Sequence, residues 1–426
     1  MAVQTIALVV FAAVFVIAEV RRSHIGIVMF AAASGIGLLV AGLALDDIVA
    51  GFPIDILILL VGVTYFFGIA KANGTIGRLV DRALLLTGDR TGALPLTFFA
   101  LTGVISAMGS PLGGLVMAPI GMSVAHRRGI DPMLMGLAIG TGLSAGGFAP
   151  TSLFGIVTWG TAASAGVPLN PLTLFAVAIV ANLVLLGAAH LLFGARRRVR
   201  VAAGSVPPVE DDDVPAGRDP FSPIHLITVL AMLGLVAAVV VLAVVGNEPD
   251  VGVLAFAFGA ALTLIDPANG RGALKEIDWS TVLLVGGIIT YVGVLQEIGA
   301  VDLLGDLAAR LTVPLLAALV ICAVCGLVSA FASTTGILAA LVPLAIPLVQ
   351  QGGVPGWALI CALGVCSSLV DVSPFSTVGA TLVATTVDPD QRPRMTALLT
   401  RWGLSMVVLG PLALVGTLVL PALAVQ

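Results

Sequence analysis

Hydroxyl-bearing residues gather at four interruptions in an otherwise apolar chain. Two read Ser106-Ala-Met-Gly-Ser110-Pro111 and Ser329-Ala-Phe-Ala-Ser333-Thr334-Thr335-Gly336. The other two read Ser144-Ala-Gly-Gly147-Phe-Ala-Pro150-Thr151-Ser152 and Ser367-Ser368-Leu-Val-Asp371-Val-Ser373-Pro374-Phe-Ser376-Thr377. Irregular backbone in lipid is tolerated only where it lines a protein-enclosed cavity, so these points mark a site. Half-helix N-termini and hydroxyls suit an anion, whereas carbonyls, hydroxyls and a carboxylate suit a small cation. The expected substrate ligands are Ser110, Pro111, Thr151, Ser152, Ser333, Thr334, Thr335, Ser376 and Thr377. The expected cation ligands are Ser106, Ser144, Gly147, Ser329, Ser368, Asp371 and Ser373. A lone Ser or Thr in a membrane helix more often back-bonds to its own helix, so the expectation rests on the group.

Asp371 is the sole acid expected deep in an apolar segment, and its counterpart in the first half is Gly147. An intramembrane carboxylate is costly and usually functional. Three roles stay open for it: ligating a cation, carrying a coupling proton, or capping the half-helix that follows Pro374. Asn182 and His190 are isolated polar residues in one span, better suited to interhelical hydrogen bonds. The sequence contains no H-E-x-x-H and no clustered metal ligands, which argues against an enzyme. Cys322 and Cys325 form a C-x-x-C without a second ligand pair, and they read as small packing residues.

The elements that position these groups follow from composition. Of 426 residues, 59% are apolar and 10% charged, with a mean hydropathy of +1.16. Only lipid as solvent accommodates such a surface. Crossings are expected at 4–20, 25–45, 54–72, 170–193, 224–245, 251–266, 279–296 and 396–424. The interrupted runs 130–164 and 356–386 read as broken transmembrane helices, and 93–125 and 313–349 as re-entrant hairpins. Ten crossings and two hairpins place the Arg-rich loop and nearly all 19 basic residues in the cytoplasm, with Arg310 outside. Both termini are then extracytoplasmic, in a bacterial inner membrane. Small hydroxyl sites in such a bundle suit transport of a small solute, and neither charge nor composition suggests a nucleic-acid partner.

The halves match at a nearly constant spacing. Gly62, Gly68 and Gly74 recur as Gly287, Gly293 and Gly299, 225 positions on. Ser144, Pro150, Ser152 and Gly155 recur as Ser368, Pro374, Ser376 and Gly379, 224 positions on. Five crossings per half is an odd number, so the second copy is expected upside down, as in many secondary transporters. The expected fold is an all-α polytopic membrane protein of two inverted five-helix repeats, 1–193 and 223–426, joined by a cytoplasmic linker at 194–222. An amphipathic segment precedes each hairpin, around Ile76–Ala83 and Val301–Leu311, and is expected to lie along the membrane surface.

The stretch Gly62-Val-Thr-Tyr-Phe-Phe-Gly68-Ile-Ala-Lys-Ala-Asn73-Gly74-Thr75-Ile76, with Leu143-Ser-Ala-Gly-Gly-Phe-Ala-Pro-Thr-Ser152, resembles the malonate/dicarboxylate carrier (MatC-type) family. More broadly the architecture resembles divalent anion/sodium symporters of the ion transporter superfamily, whose hairpin tips carry Ser-Asn-Thr with a Pro about ten residues later. Ser333-Thr334-Thr335 with Pro343 matches that pattern with Thr for Asn, whereas Ser110-Pro111-Leu112 with Pro119 matches only at Ser110. The resemblance implies cation-coupled symport of a small dicarboxylate such as malonate, with Na+ or H+ as the coupling ion and no other cofactor. It also implies an elevator motion and a homodimer in membrane lipid. An exchanger of another small anion, or a passive channel, are the alternatives.

Overall fold

The computed structural model describes residues 2–79, 82, 92–109, 111–194, 221–245, 250–300, 303, 314–330 and 334–424, and every regular element among them is helical. The expectations for Ser110, Ser333, most of the linker, Val80, Asp81 and Ala83 of the first amphipathic segment and most of the second segment fall outside these residues. In the first half the helices are α1 (Ala2–Arg21), α2 (Ile25–Ser34), α3 (Leu45–Ala50), α4 (Ile54–Ala72), α5 (Leu94–Ala107), α6 (Met117–Arg128), α7 (Pro132–Gly147), α8 (Leu153–Ser164) and α9 (Pro171–Phe193). In the second they are α10 (Pro223–Val245), α11 (Val251–Ile265), α12 (Pro267–Ala273), α13 (Trp279–Glu297), α14 (Pro314–Ser329), α15 (Thr334–Gly352), α16 (Gly356–Leu369), α17 (Thr377–Ala384), α18 (Arg392–Leu414) and α19 (Leu420–Ala424).

Local chemistry starts several of these helices. Asp131 accepts from Met133 N at 2.9 Å ahead of Pro132, and Asn170 accepts from Leu172 N at 2.8 Å ahead of Pro171. Asp250 and Asp278 cap α11 and α13 in the same way, through Val253 N at 2.9 Å and Thr281 N at 3.0 Å. A polar cap followed by an apolar run, with Pro where an amide has no helical partner, is the sequence signature of a helix start.

Among the described residues, four helical runs are long and apolar enough to cross a membrane: Ile54–Ala72, Pro171–Phe193, Trp279–Glu297 and Pro389–Ala424. The sequence reading expects ten crossings, but many of the remaining apolar helices have only 10–17 residues. α11 has 15 residues and reaches roughly 22 Å, short of a hydrocarbon core of roughly 30 Å. The shortening has local causes. Asp266 ends α11 by capping α12 through Asn269 N at 3.2 Å, and α2 passes into a widened π-type turn at Gly35–Ala41. The outward surfaces nonetheless carry large apolar side chains, Leu39, Leu191 and Leu264 each being more than 80% exposed. Such a surface is at home in lipid and nowhere else.

The helices pack in two groups. In the first, α13 lies on α2 and α11 on α4. A Cβ on Gly287 would stand 2.1 Å from Gly26 O, and one on Gly62 would stand 2.5 Å from Gly252 O. Each contact joins an early helix of one half to a later helix of the other. In the second group α5 and α9 flank α7, while α14 and α18 flank α16. Here a Cβ on Gly146 would stand 2.0 Å from Gly103 O, so glycine is what lets α5 and α7 touch backbone to backbone. The groups meet chiefly where α15 lies on α13 and α8 on α4.

Candidate substrate and cation site

α7 stops at Gly147, and the chain runs through 148–152 without helical bonding before α8 begins at Leu153. Pro150 has no amide to continue a helix, and Gly146 and Gly147 weaken its last turn. The freed groups reach the end of α5. Ser152 Oγ donates to Ser106 O at 2.7 Å, Thr151 Oγ1 to Ala107 O at 2.7 Å, and Leu153 N to Gly109 O at 3.2 Å. Ser152 occupies the N-cap position of α8, but its hydroxyl is turned to Ser106 and caps nothing.

The second break lies between α16, ending at Leu369, and α17, starting at Thr377. Ser373 Oγ donates to Ala330 O at 3.0 Å, which ties this break to the end of α14. Ser376 caps α17 by accepting from Gly379 N at 3.1 Å, and its hydroxyl donates to the carbonyl oxygen of Asp371. The Thr334 side chain lies beside the Asp371 carboxylate, and Thr334 Oγ1 lies 3.0 Å from Ser329 Oγ. Ser329 and Thr334 are therefore hydrogen-bonded between the end of α14 and the start of α15, with Asp371 of the broken helix beside them.

Ser144 and Ser368 meet each other, Oγ to Oγ at 2.7 Å, where α7 and α16 cross. Asn182 of α9 donates to Ser144 Oγ at 3.0 Å, the interhelical use expected for this residue. Nothing in the sequence placed Asn182 beside Ser144; a lone amide in an apolar span was the available signal. Gly147, Ser106 and Thr335 are buried near these groups, whereas Thr377 is exposed and Pro111 opens a short 3-10 turn.

These bonds sort the chemistry. The protons of Thr151, Ser152, Ser373 and Ser376 are committed to backbone carbonyls, so each hydroxyl offers a further partner only lone pairs. Lone pairs and the Asp371 carboxylate favour a cation. Donors for an anion come instead from first-turn amides, above all at α8, which no side chain caps although its first amide, Leu153 N, is spent on Gly109 O. Among the described residues no group of His, Cys, Asp and Glu has the makings of a multi-ligand metal site.

Residues 1–147 match the family model described as the N-terminus of the dicarboxylate carrier protein MatC. Among solved structures, the chain is similar to the YdaH transporter of Alcanivorax borkumensis, described as having an unusual topology. The likeness has a TM-score of 0.62 at 16% identity and covers 87% of this chain and 86% of that one. At that identity the fold is what is shared. No curated protein matches the sequence. The family match runs from α1 through the first stretch of the broken helix, and the fold likeness extends across both halves. This chain is a multi-pass membrane protein whose residues 1–147 match the family model of the MatC dicarboxylate carrier N-terminus and whose fold is similar to that of a solved transporter.

Proposed function

We propose that this protein takes up a small dicarboxylate such as malonate by cation-coupled symport. The observation that carries the reading is the pair of tethers between hairpin ends and helix breaks: Thr151 and Ser152 to Ala107 O and Ser106 O, and Ser373 to Ala330 O. Each tether joins a polar hairpin end to a broken helix inside an apolar bundle, the combination from which transporter sites are built. In this reading the uncapped N-terminal turn of α8 takes a substrate carboxylate. Asp371, Thr334 and Ser329 take the coupling cation.

The halves act as inverted copies. α5 to α9 and α14 to α19 move as one unit against a scaffold of α1 to α4 and α10 to α13, an elevator motion across the inner membrane. α15 and α8 pack on one another and on the scaffold helices α13 and α4, whereas Phe375 and Thr377 beside α17 are exposed. That asymmetry supports a state open on the α17 side, which the basic loops place towards the cytoplasm. The test is uptake of labelled malonate into proteoliposomes under a sodium gradient and, separately, a proton gradient. Accumulation above equilibrium under one of them is expected. A proton gradient acting alone would replace sodium as the coupling ion, and no uptake under either would sink the substrate reading.

A further inference from the structure

The four hydroxyls of α7 and α16 do not behave alike. Thr141 donates to Leu137 O at 2.6 Å, Ser367 to Gly364 O at 2.6 Å and Ser368 to Val365 O at 2.9 Å, each within its own helix. Ser144 alone reaches across, to Ser368. Donor accounting gives that bond a direction. The Ser368 proton is on Val365 O, so Ser368 accepts, and Ser144 donates to it.

The reason lies on a third helix. Asn182 Nδ2 donates to Ala178 O at 2.9 Å and to Ser144 Oγ at 3.0 Å. A carbonyl only accepts, so Ala178 fixes which end of the amide faces Ser144. The polar line therefore runs one way, from Asn182 through Ser144 and Ser368 to Val365 O, and joins α9, α7 and α16. The second half carries Met406 224 positions after Asn182, so no equivalent amide faces Ser368.

We infer that Asn182 is a positioning residue: by occupying the acceptor side of Ser144 it directs that hydroxyl away from its own helix and into Ser368, holding the two broken helices in register. Without it Ser144 would fall back on an α7 carbonyl, as its neighbour Thr141 does. The register matters because each helix ends at a break, α7 at Gly147 and α16 at Leu369. Small displacements there separate the ligands contributed by the two halves. The amide is not explained by stability alone. Asn182 is fully buried, and its Oδ1 has no hydrogen-bond partner among the described groups. A leucine of similar size leaves no new group unsatisfied, since Ser144 and Ala178 O keep other partners.

The inference rests on the transport reading above, and its test separates the two. Wild type, Asn182→Leu and Ser144→Ala are compared in malonate uptake under the driving gradient, with thermal unfolding alongside. The expected result is a rise on the order of tenfold in KM for both malonate and the coupling cation, with the unfolding temperature of Asn182→Leu unchanged. The double variant is expected to be no worse than either single one, because both cut the same line. Unchanged KM in Ser144→Ala, or additive losses, overturns the inference even if Asn182→Leu fails to fold. Should wild type transport no dicarboxylate, amide hydrogen exchange over 364–369 still decides. Exchange about tenfold faster in Asn182→Leu supports the inference, and equal protection overturns it.

Discussion

Ser144 and Ser368 touch at 2.7 Å, and they stand 224 positions apart in the chain, the same spacing that relates Pro150 to Pro374 and Gly155 to Gly379. In the inverted-repeat reading proposed above, equivalent residues of the two halves meet where a two-fold axis would pass between them. Neighbouring contacts have the same exchanged form. A Cβ on Gly140 would stand 2.3 Å from Val372 Cγ1, and one on Gly364 would stand 3.3 Å from Phe148 Cε1. Gly140 corresponds to Gly364, and Phe148 to Val372, at that same spacing.

The helix crossings that join the halves predict a sharp contrast between glycines. Gly287→Ala puts a Cβ 2.1 Å from Gly26 O, a backbone atom that cannot swing aside. A loss of about 1–3 kcal/mol is expected from this overpacking. Gly187 has open space around its Cβ position, so Gly187→Ala should be neutral or stabilising by up to about 1 kcal/mol. Unfolding in detergent, read by tryptophan fluorescence, measures both. Equal behaviour of the two variants would falsify the packing of α2 on α13.

Asp371 is expected to be indispensable for concentrative uptake. Asp371→Asn keeps its shape beside Thr334 but removes the charge that a bound cation needs. Accumulation should fall at least tenfold, while exchange of labelled for unlabelled substrate is less affected. Counterflow assays in proteoliposomes distinguish the two, and full accumulation by the variant would remove Asp371 from the cation site.

The tether at the first break predicts that Ser152→Ala and Thr151→Val act on substrate affinity. Each loses one hydrogen bond, buried for Ser152 and part-buried for Thr151, and leaves a carbonyl at the end of α5, Ser106 O or Ala107 O, without that donor. A stability cost of about 1–3 kcal/mol and a raised KM for malonate are expected. Thermal unfolding and uptake kinetics on the same preparations check this, and a lower maximal rate with KM unchanged would count against it.

A fourth expectation concerns the start of α7. Asp131 caps Met133 N and also accepts from Arg394 Nη2 at 2.9 Å; the aspartate side chain is nearly buried, whereas the arginine is about half exposed. Asp131→Ala loses the cap and the pair and should cost about 1–2 kcal/mol. Arg394→Gln loses an arginine exposed to solvent and should cost less than about 1 kcal/mol. A double-mutant cycle by chemical denaturation gives the coupling between them.

Much of the architecture can be read directly from the residues. The apolar runs, the Gly, Ser and Pro interruptions and the polar N-caps at Asp131, Asn170, Asp250 and Asp278 are local properties, and local properties determine where a helix starts and stops. Helix length was less legible, because α11 is cut short by a cap on the next helix and α2 by a π-type turn. Both depend on how the backbone settles against neighbours. Hydropathy averages over such details.

The sequence by itself determined a membrane solvent, two halves whose motifs match at a spacing of about 224 residues, the interrupted segments and the place of Asp371 within an apolar run. Each is a matter of composition or spacing along one chain. Tertiary structure alone decided which residues meet: Ser152 with Ser106, Ser373 with Ala330, Thr334 with Asp371, and Asn182 with Ser144. The carbonyls to which Thr151, Ser152, Ser373 and Ser376 donate were also settled there. A hydroxyl can donate to its own helix or to a neighbour at similar cost, and only the packed arrangement of carbonyls around it selects one.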